Sequence, residues 1–211
     1  MNKTTEDIIQ EFANALTDVE LFKSLLRVGV QKSSDQSNII KRDTKLDHIE
    51  EYMYISDHCA DNAGNDEYAK CKLNPAMKYP CEIEQMWEIA EANTFAETDI
   101  TSIIDQFRAM GVPMEDISDF VDADTMLYVV TNISKSNGAA AILNTKALHE
   151  FGQEHNITKV IAIPSSIHEF LIRPVKDDLS VEEANAMIND VNQEQVAPEE
   201  QLGDHAYILD I

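Results

Sequence analysis

The stretch from Met126 to Pro174 constrains this chain most. It runs Met126-Leu127-Tyr128-Val129-Val130-Thr131, a polar Asn-Gly loop, Ala139-Ala140-Ala141-Ile142-Leu143, an amphipathic segment, and then residues 159–163, which lead through Pro164-Ser165-Ser166 into residues 167–174. Its runs are dense in β-branched and aromatic residues, so they are the expected central strands, and everything else must pack on them or elaborate them. Asn137-Gly138 supplies the backbone freedom of a tight reversal, so residues 139–143 are expected to pair antiparallel with the strand before them. Residues 159–163 and 167–172 are expected as two more strands separated by a bend.

Helical spacing marks the flanks. Thr4 or Thr5 caps a first helix with Ile9, Phe12, Ala13 and Leu16 on one stripe, and Thr17 with Glu20 forms a capping box that carries helix through Phe22 and Leu26 as far as Gly29. Residues 31–47 read as a loop. Residues 46–55 fit either an amphipathic segment or a strand at 52–55, and residues 56–80 show no sustained period. Helices then follow at 82–93, with Ile83, Met86, Trp87 and Ala90 inward, and from Thr98 or Asp99 to Met110, stopped by Gly111 and Pro113. Beyond the central strands, Asn144 or Thr145 opens a helix with Leu148, Phe151 and Gly152 inward. Ser180 with Glu183 opens another, burying Val181, Ala184, Met187, Ile188 and Val191, and Pro198 starts a short helix closed by Gly203. Residues 206–209 make a last strand. The expected fold is α+β, a mostly antiparallel sheet with helices packed on one face, behind a helical N-terminal front. Residues 1–81 form a helical and irregular extension, and residues 82–211 form the α+β domain.

Charge narrows the function. The 211 residues carry 39 acidic and 16 basic side chains, a net charge of -23. The excess is uneven: residues 1–50 hold 9 acids and 7 bases, residues 51–120 hold 15 and 4, and residues 121–211 hold 15 and 5. Such a surface repels nucleic acid and anionic membrane, and it favours basic proteins, polyamines or metal cations as partners. The start Met-Asn-Lys-Thr-Thr-Glu-Asp lacks the runs of a secretory signal, and no window approaches the roughly 18 apolar residues of a membrane span. Cys59, Cys71 and Cys81 read as free thiols of a reducing compartment. A cytoplasmic protein is expected.

Four segments carry a resemblance: Met126 to Asn132, Asn137 to Leu143, Ile163 to Glu169, and Val191 through Val196-Ala197-Pro198-Glu199-Glu200 to Tyr207. Together with residues 86–94 they resemble an uncharacterised bacterial family known only as a domain of unknown function, frequent in Clostridia-type gut bacteria and their mobile elements. The resemblance covers about residues 82–211. It implies a fold and a source; it implies no activity.

Two constellations bear on chemistry. Ser165, Ser166, His168 and Glu169 suggest a hydrolase, with Ser166 as nucleophile, His168 as base and Glu169 beside it. Along a strand, however, Ser166 and His168 stand about 6.5 to 7 Å apart at roughly 3.3 Å per residue, too far to hydrogen-bond. The chain also lacks a Gly-x-Ser-x-Gly elbow. His58 and the three cysteines lack the close Cys-x-x-Cys pair of a zinc site, and no phosphate-binding or calcium loop is present, so neither cofactor nor metal is expected.

The second constellation is acidic: Asp57, Asp61, Asp66 and Glu67, then Glu84, Glu88 and Glu91 at helical spacing on one side. These seven are the expected partner-binding residues. The expected function is a non-enzymatic acidic protein-interaction protein, an inhibitor associated with a mobile element, which imitates nucleic acid on the basic surface of a nucleic-acid-binding partner. The alternatives are the hydrolase and an acidic soluble domain without mimicry. Self-association through the N-terminal helices is a further expectation.

Overall fold

A computed structural model describes residues 5–60, 66–113, 126–175, 184–186, 188 and 196–211. It contains two antiparallel sheets, one of four strands and one of five. The first is built entirely from the front of the chain: β1 (Leu26–Lys32), β2 (Lys41–Asp43), β3 (Ile49–Ala60) and β4 (Asp66–Lys72). β3 pairs with β1 along one edge, while β2 and β4 follow one another along the other. Ile40 and Leu73, which end those two runs, meet at Met53. The Met53 amide donates to Ile40 O at 2.9 Å, and Met53 O accepts from the Leu73 amide at 3.0 Å.

The helices α1 (Thr5–Ala15) and α2 (Val19–Leu25) precede this sheet as expected, but strands replace the irregular remainder of the front. The helix ends at Leu25 rather than Gly29 because Leu26, Val28 and Val30 alternate into the core, the two-residue period of a strand. The cap of α2 is Asp18, whose carboxylate accepts from the amides of Glu20 and Leu21, rather than Thr17. Residues 52–55, open between two readings, lie within β3. On α1 the inward residues are Ile8, Phe12 and Ala15, with Leu16 just past its end, while Ile9 and Ala13, expected on the buried stripe, are exposed.

α3 (Ile83–Ala96) leads into the second sheet, ordered β5 (Thr98–Ser102), β6 (Tyr128–Asn132), β8 (Glu169–Pro174), β7 (Lys159–Ser166) and β9 (Tyr207–Asp210). The helix expected from Thr98 begins only at Ile103, as α4 (Ile103–Ala109). Ser102 caps it by accepting from the Asp105 amide at 3.1 Å, and the β-branched run before it pairs with β6. Residues 139–143 are not a strand: Gly138–Leu143 is a 3-10 helix. Both edges of β6 are occupied by β5 and β8, so no ladder is left for this segment. Its alanines, 0–1% exposed, let it run close against β6 instead. Asn137 adopts the left-handed conformation at its start. At Gly138 an added Cβ would stand 2.5 Å from the Asn132 amide, so no larger residue fits.

α5 (Thr145–His155) follows, capped by Asn144, whose side chain accepts from the Ala147 amide at 3.1 Å. β7 and β8 then form a hairpin with its irregularity between Pro164 and Ser166, a bulge that accommodates the proline inside a sheet. Residues 198–200 make a turn rather than a short helix. Of the helix expected after Ser180, Ala184 and Ile188 pack on Ile161 and Ile163; Ser180, Val181, Glu183, Met187 and Val191 lie outside the described residues.

One buried cluster unites the two sheets. Phe22, Leu26, Val28, Met53 and Ile55 from the front join Met86, Trp87 and Ala90 of α3, the alanines of the 3-10 helix, and Val130, Val160, Phe170 and Ile172. α3 also covers the outer edge of β1 with polar side chains. The Thr94 hydroxyl accepts from the Val28 amide, and the Asn93 amide donates to the carbonyls of Lys23 and Leu26. An edge strand that would otherwise expose its backbone is satisfied by a helix.

Candidate partner-binding surface

The structure separates the seven acids proposed for partner binding. Glu84 and Glu88 project from α3 into solvent, one turn apart, and take part in no ion pair among the described residues. Met86, Trp87 and Ala90 anchor the opposite face of the helix in the core, so this pair sits on a fixed support. Ile83, expected to be inward, is 40% exposed and belongs to the outer face. Asp57 is on β3, in the wall of a cleft described below. Asp66 and Glu67 belong to β4, opposite Ala60 and Cys59, and Asp61 lies outside the described residues.

Glu91 has a different role. Its carboxylate accepts from Arg42 Nη2, while Arg42 Nε donates to Glu51 Oε1 at 2.5 Å and the guanidinium stacks 4.1 Å over the Trp87 ring. Glu51 is buried, its side chain 8% exposed, and burial raises its carboxyl above the ordinary range; Arg42 opposes that shift and the Glu91 charge adds to it. Arg42 thus ties β2, β3 and α3 together, and Glu91 is engaged in the fold rather than offered to solvent. Sequence spacing placed Glu91 with Glu84 and Glu88, but its partner lies 49 positions away and carries no local signal.

The neighbouring Glu50, on the other face of β3, accepts from Gln31 at 2.6 Å, Ser34 at 2.9 Å and Lys41 at 2.8 Å. Burial works to raise this carboxyl, but the three hydrogen bonds outweigh it and hold Glu50 below the ordinary carboxylate range.

The serine-histidine segment is assembled as a structural knot. His168 Nδ1 accepts from the Asn137 amide at 3.0 Å, which leaves the ring proton on Nε2, 3.4 Å from Glu200 Oε1. Ser166 Oγ accepts from the His168 backbone amide at 3.1 Å, and Ser165 donates to Glu169 at 3.4 Å. Both ring nitrogens are therefore engaged with groups other than the Ser166 hydroxyl. Thr131 donates to His168 O at 2.8 Å, the Ala139 amide to Ile167 O at 3.2 Å, and the Ile167 amide to Glu200 O at 2.8 Å. Three segments distant in sequence, residues 131–137, residues 167–168 and Glu200, converge here.

Beside the knot a polar cleft of about 520 Å³ opens between β1, β3 and the 132–137 loop. Arg27 crosses its wall, donating to the carbonyls of Ser24 and Leu26 and to Glu97 Oε1 at 2.8 Å. The Asn132 side chain folds the loop by donating to Ser136 O and accepting from Ser134 and Ser136.

Among the described residues no group of three or more His, Cys, Asp or Glu side chains is arranged to hold a metal ion. Cys71 is exposed and Cys81 half-buried, both as thiols. No described helix is long and apolar enough to cross a membrane.

Two antiparallel sheets joined by one buried core, with helices against them, define an α+β protein. The chain belongs to a family of unknown function, DUF5688, which matches residues 59–210. That match begins in β3, earlier than the resemblance at residue 82, and so takes in β4 and α3 together with the whole second sheet. No curated protein and no solved structure matches the chain.

Proposed function

We propose that this chain is a non-enzymatic, cytoplasmic, acidic protein-interaction protein, an inhibitor associated with a mobile element, which occupies the basic surface of a nucleic-acid-binding partner in place of nucleic acid. The observation that carries this reading is the pair Glu84 and Glu88, exposed, outside every ion pair among the described residues, and fixed on a helix whose other face is core. At four residues apart they stand about 6 Å along the helix axis, a short rigid row of negative charge. They lie within residues 51–120, where 15 acids face 4 bases. Asp57, Asp61, Asp66 and Glu67 stay in the proposed contact set on their charge alone, and Glu91 is dropped from it because Arg42 holds it.

A net charge of -23 exceeds the magnitude of roughly 2 to 8 that suffices for solubility in a small domain. Concentrated charge acts at range, and its reach shrinks to about 8 Å at physiological salt. The test is retention of a partner from lysate at low salt, its release at roughly 0.5 M salt and by competing duplex DNA, and its loss in the double variant Glu84→Gln/Glu88→Gln. Retention unaffected by the double variant or by DNA contradicts the reading. For self-association through the N-terminal helices, Ile9 and Val19 are the exposed large apolar side chains, since Ile8, Phe12, Ala15 and Leu16 are covered by the chain's own core.

A further inference from the structure

The polar cleft beside the His168 knot is lined by hydroxyls that the fold leaves unused. Tyr54 lies opposite Arg27 in the β1–β3 ladder and lines the cleft. It is 5% exposed, yet its hydroxyl makes no hydrogen bond among the described residues. The one enclosed side-chain polar atom without a partner among those residues is Arg173 Nε, so the Tyr54 oxygen opens to the space it lines. A buried phenol normally has a partner, and here the described chain supplies none. Ser56, two positions along β3 and therefore on the same face, also lines the cleft, and its hydroxyl is likewise unpaired among the described residues.

The charges around these hydroxyls do not select an ion. The Arg27 guanidinium is committed to Glu97 and to two backbone carbonyls, and Asp57 adds a second carboxylate to the wall. Burial raises the Tyr54 phenol above its ordinary range, Tyr52 and Glu97 add to the shift and Arg27 opposes it, so the hydroxyl keeps its proton as a donor. An anion brings acceptors only and would lie against Glu97 and Asp57, whereas an amine brings donors only and would lie against Arg27. A ligand hydroxyl both gives and accepts, and so matches Tyr54, Ser56 and Glu97 Oε2 together.

The facing wall is held in place. Asn132 folds the 132–137 loop, Lys70 of β4 donates to Asn137 Oδ1, and the Asn137 amide is fixed on His168. On this loop Ile133 lines the cleft at 72% exposure, an apolar face set among polar groups. The volume of about 520 Å³ suits a small ligand. Hydroxyls around a ring with an apolar C–H face are the make-up of a sugar.

We propose that this cleft binds a neutral mono- or disaccharide, with its hydroxyls on Tyr54, Ser56 and Glu97 and its C–H face on Ile133. The site lies apart from Glu84 and Glu88, so it goes beyond the inhibitor reading and does not depend on it.

The experiment titrates the full chain calorimetrically with glucose, galactose, N-acetylglucosamine, maltose and cellobiose. The controls are glucuronate, glucosamine and N-acetylglycinamide, and amide resonances of residues 132–137 report the place of binding. At least one neutral sugar should bind with a Kd below roughly 10 mM and shift those resonances, with every control at least about tenfold weaker. Tyr54→Phe should weaken binding roughly tenfold while leaving the urea midpoint of the ligand-free chain unchanged, because the lost hydroxyl has no partner in the fold. Ser56→Ala should weaken it roughly threefold, and Glu84→Gln/Glu88→Gln less than about twofold. No binding by any of the five sugars, tighter binding of a control, or full affinity in Tyr54→Phe overturns the proposal.

Discussion

The hydroxyl oxygen of Thr94 accepts a hydrogen bond from the buried amide of Val28 at 2.9 Å, across 66 positions of sequence. It joins the outer edge of the first sheet to the helix that leads into the second. Replacing Thr94 with valine keeps the shape but strands the Val28 amide, at a cost of about 1–3 kcal/mol. Thr94→Ser, which retains the acceptor, should lose less. Urea midpoints at constant m-value measure both.

The same stitching makes the front of the chain part of the core. Deleting residues 1–45 removes β1 and β2 and with them Leu26, Val28 and Val30, which are 0–2% exposed. The truncated chain should show no cooperative thermal transition by calorimetry. A sharp transition in it would mean that the second sheet and α3 fold without the first.

Arg42 and Glu91 should differ in their variants. Arg42→Ala leaves the Glu51 carboxyl buried without its cation and should cost on the order of 2–4 kcal/mol. Glu91→Gln removes only a half-exposed partner and should cost less than about 1 kcal/mol. Equal losses in urea unfolding would contradict the assignment of Glu51 as the buried member.

Glu50 gives a pH signature. Its folded pKa lies below the ordinary 4.5, so its contribution to stability is fully present above that value and is lost as pH falls through the lower folded value. The stability difference between the wild-type chain and Glu50→Gln should hold near neutrality and shrink as pH falls below 4.5. A difference that stays constant through the acid range would contradict the three-bond environment of this carboxylate.

What the sequence carries legibly is local. The α3 face, the Asn144 cap, the β7–β8 hairpin and the last strand follow from spacing and capping, because periodicity and side-chain caps act within one or two turns. The first sheet was hidden for a physical reason. β3 carries Glu50 and Glu51 at buried positions, which reads as polar until Lys41 and Arg42 are placed against them. β5 was hidden because Ile100, Ile103 and Ile104 mimic helical spacing, although the ladder to β6 decides the first five residues of that run. The 3-10 helix could be read only from topology, since it depends on both edges of β6 being taken. In the acidic set, Glu84 and Glu88 were legible from i, i+4 spacing, whereas the engagement of Glu91 depends on a distant arginine.

The most direct test of the proposed inhibitor is displacement. A fluorescent DNA duplex bound to the captured partner is titrated with the full chain and with Glu84→Gln/Glu88→Gln. The account predicts that the wild-type chain releases the duplex at close to equimolar ratio, with an effect that weakens as salt rises, and that the double variant needs roughly tenfold more protein. A ternary complex in which the partner holds the duplex and the chain together would contradict it.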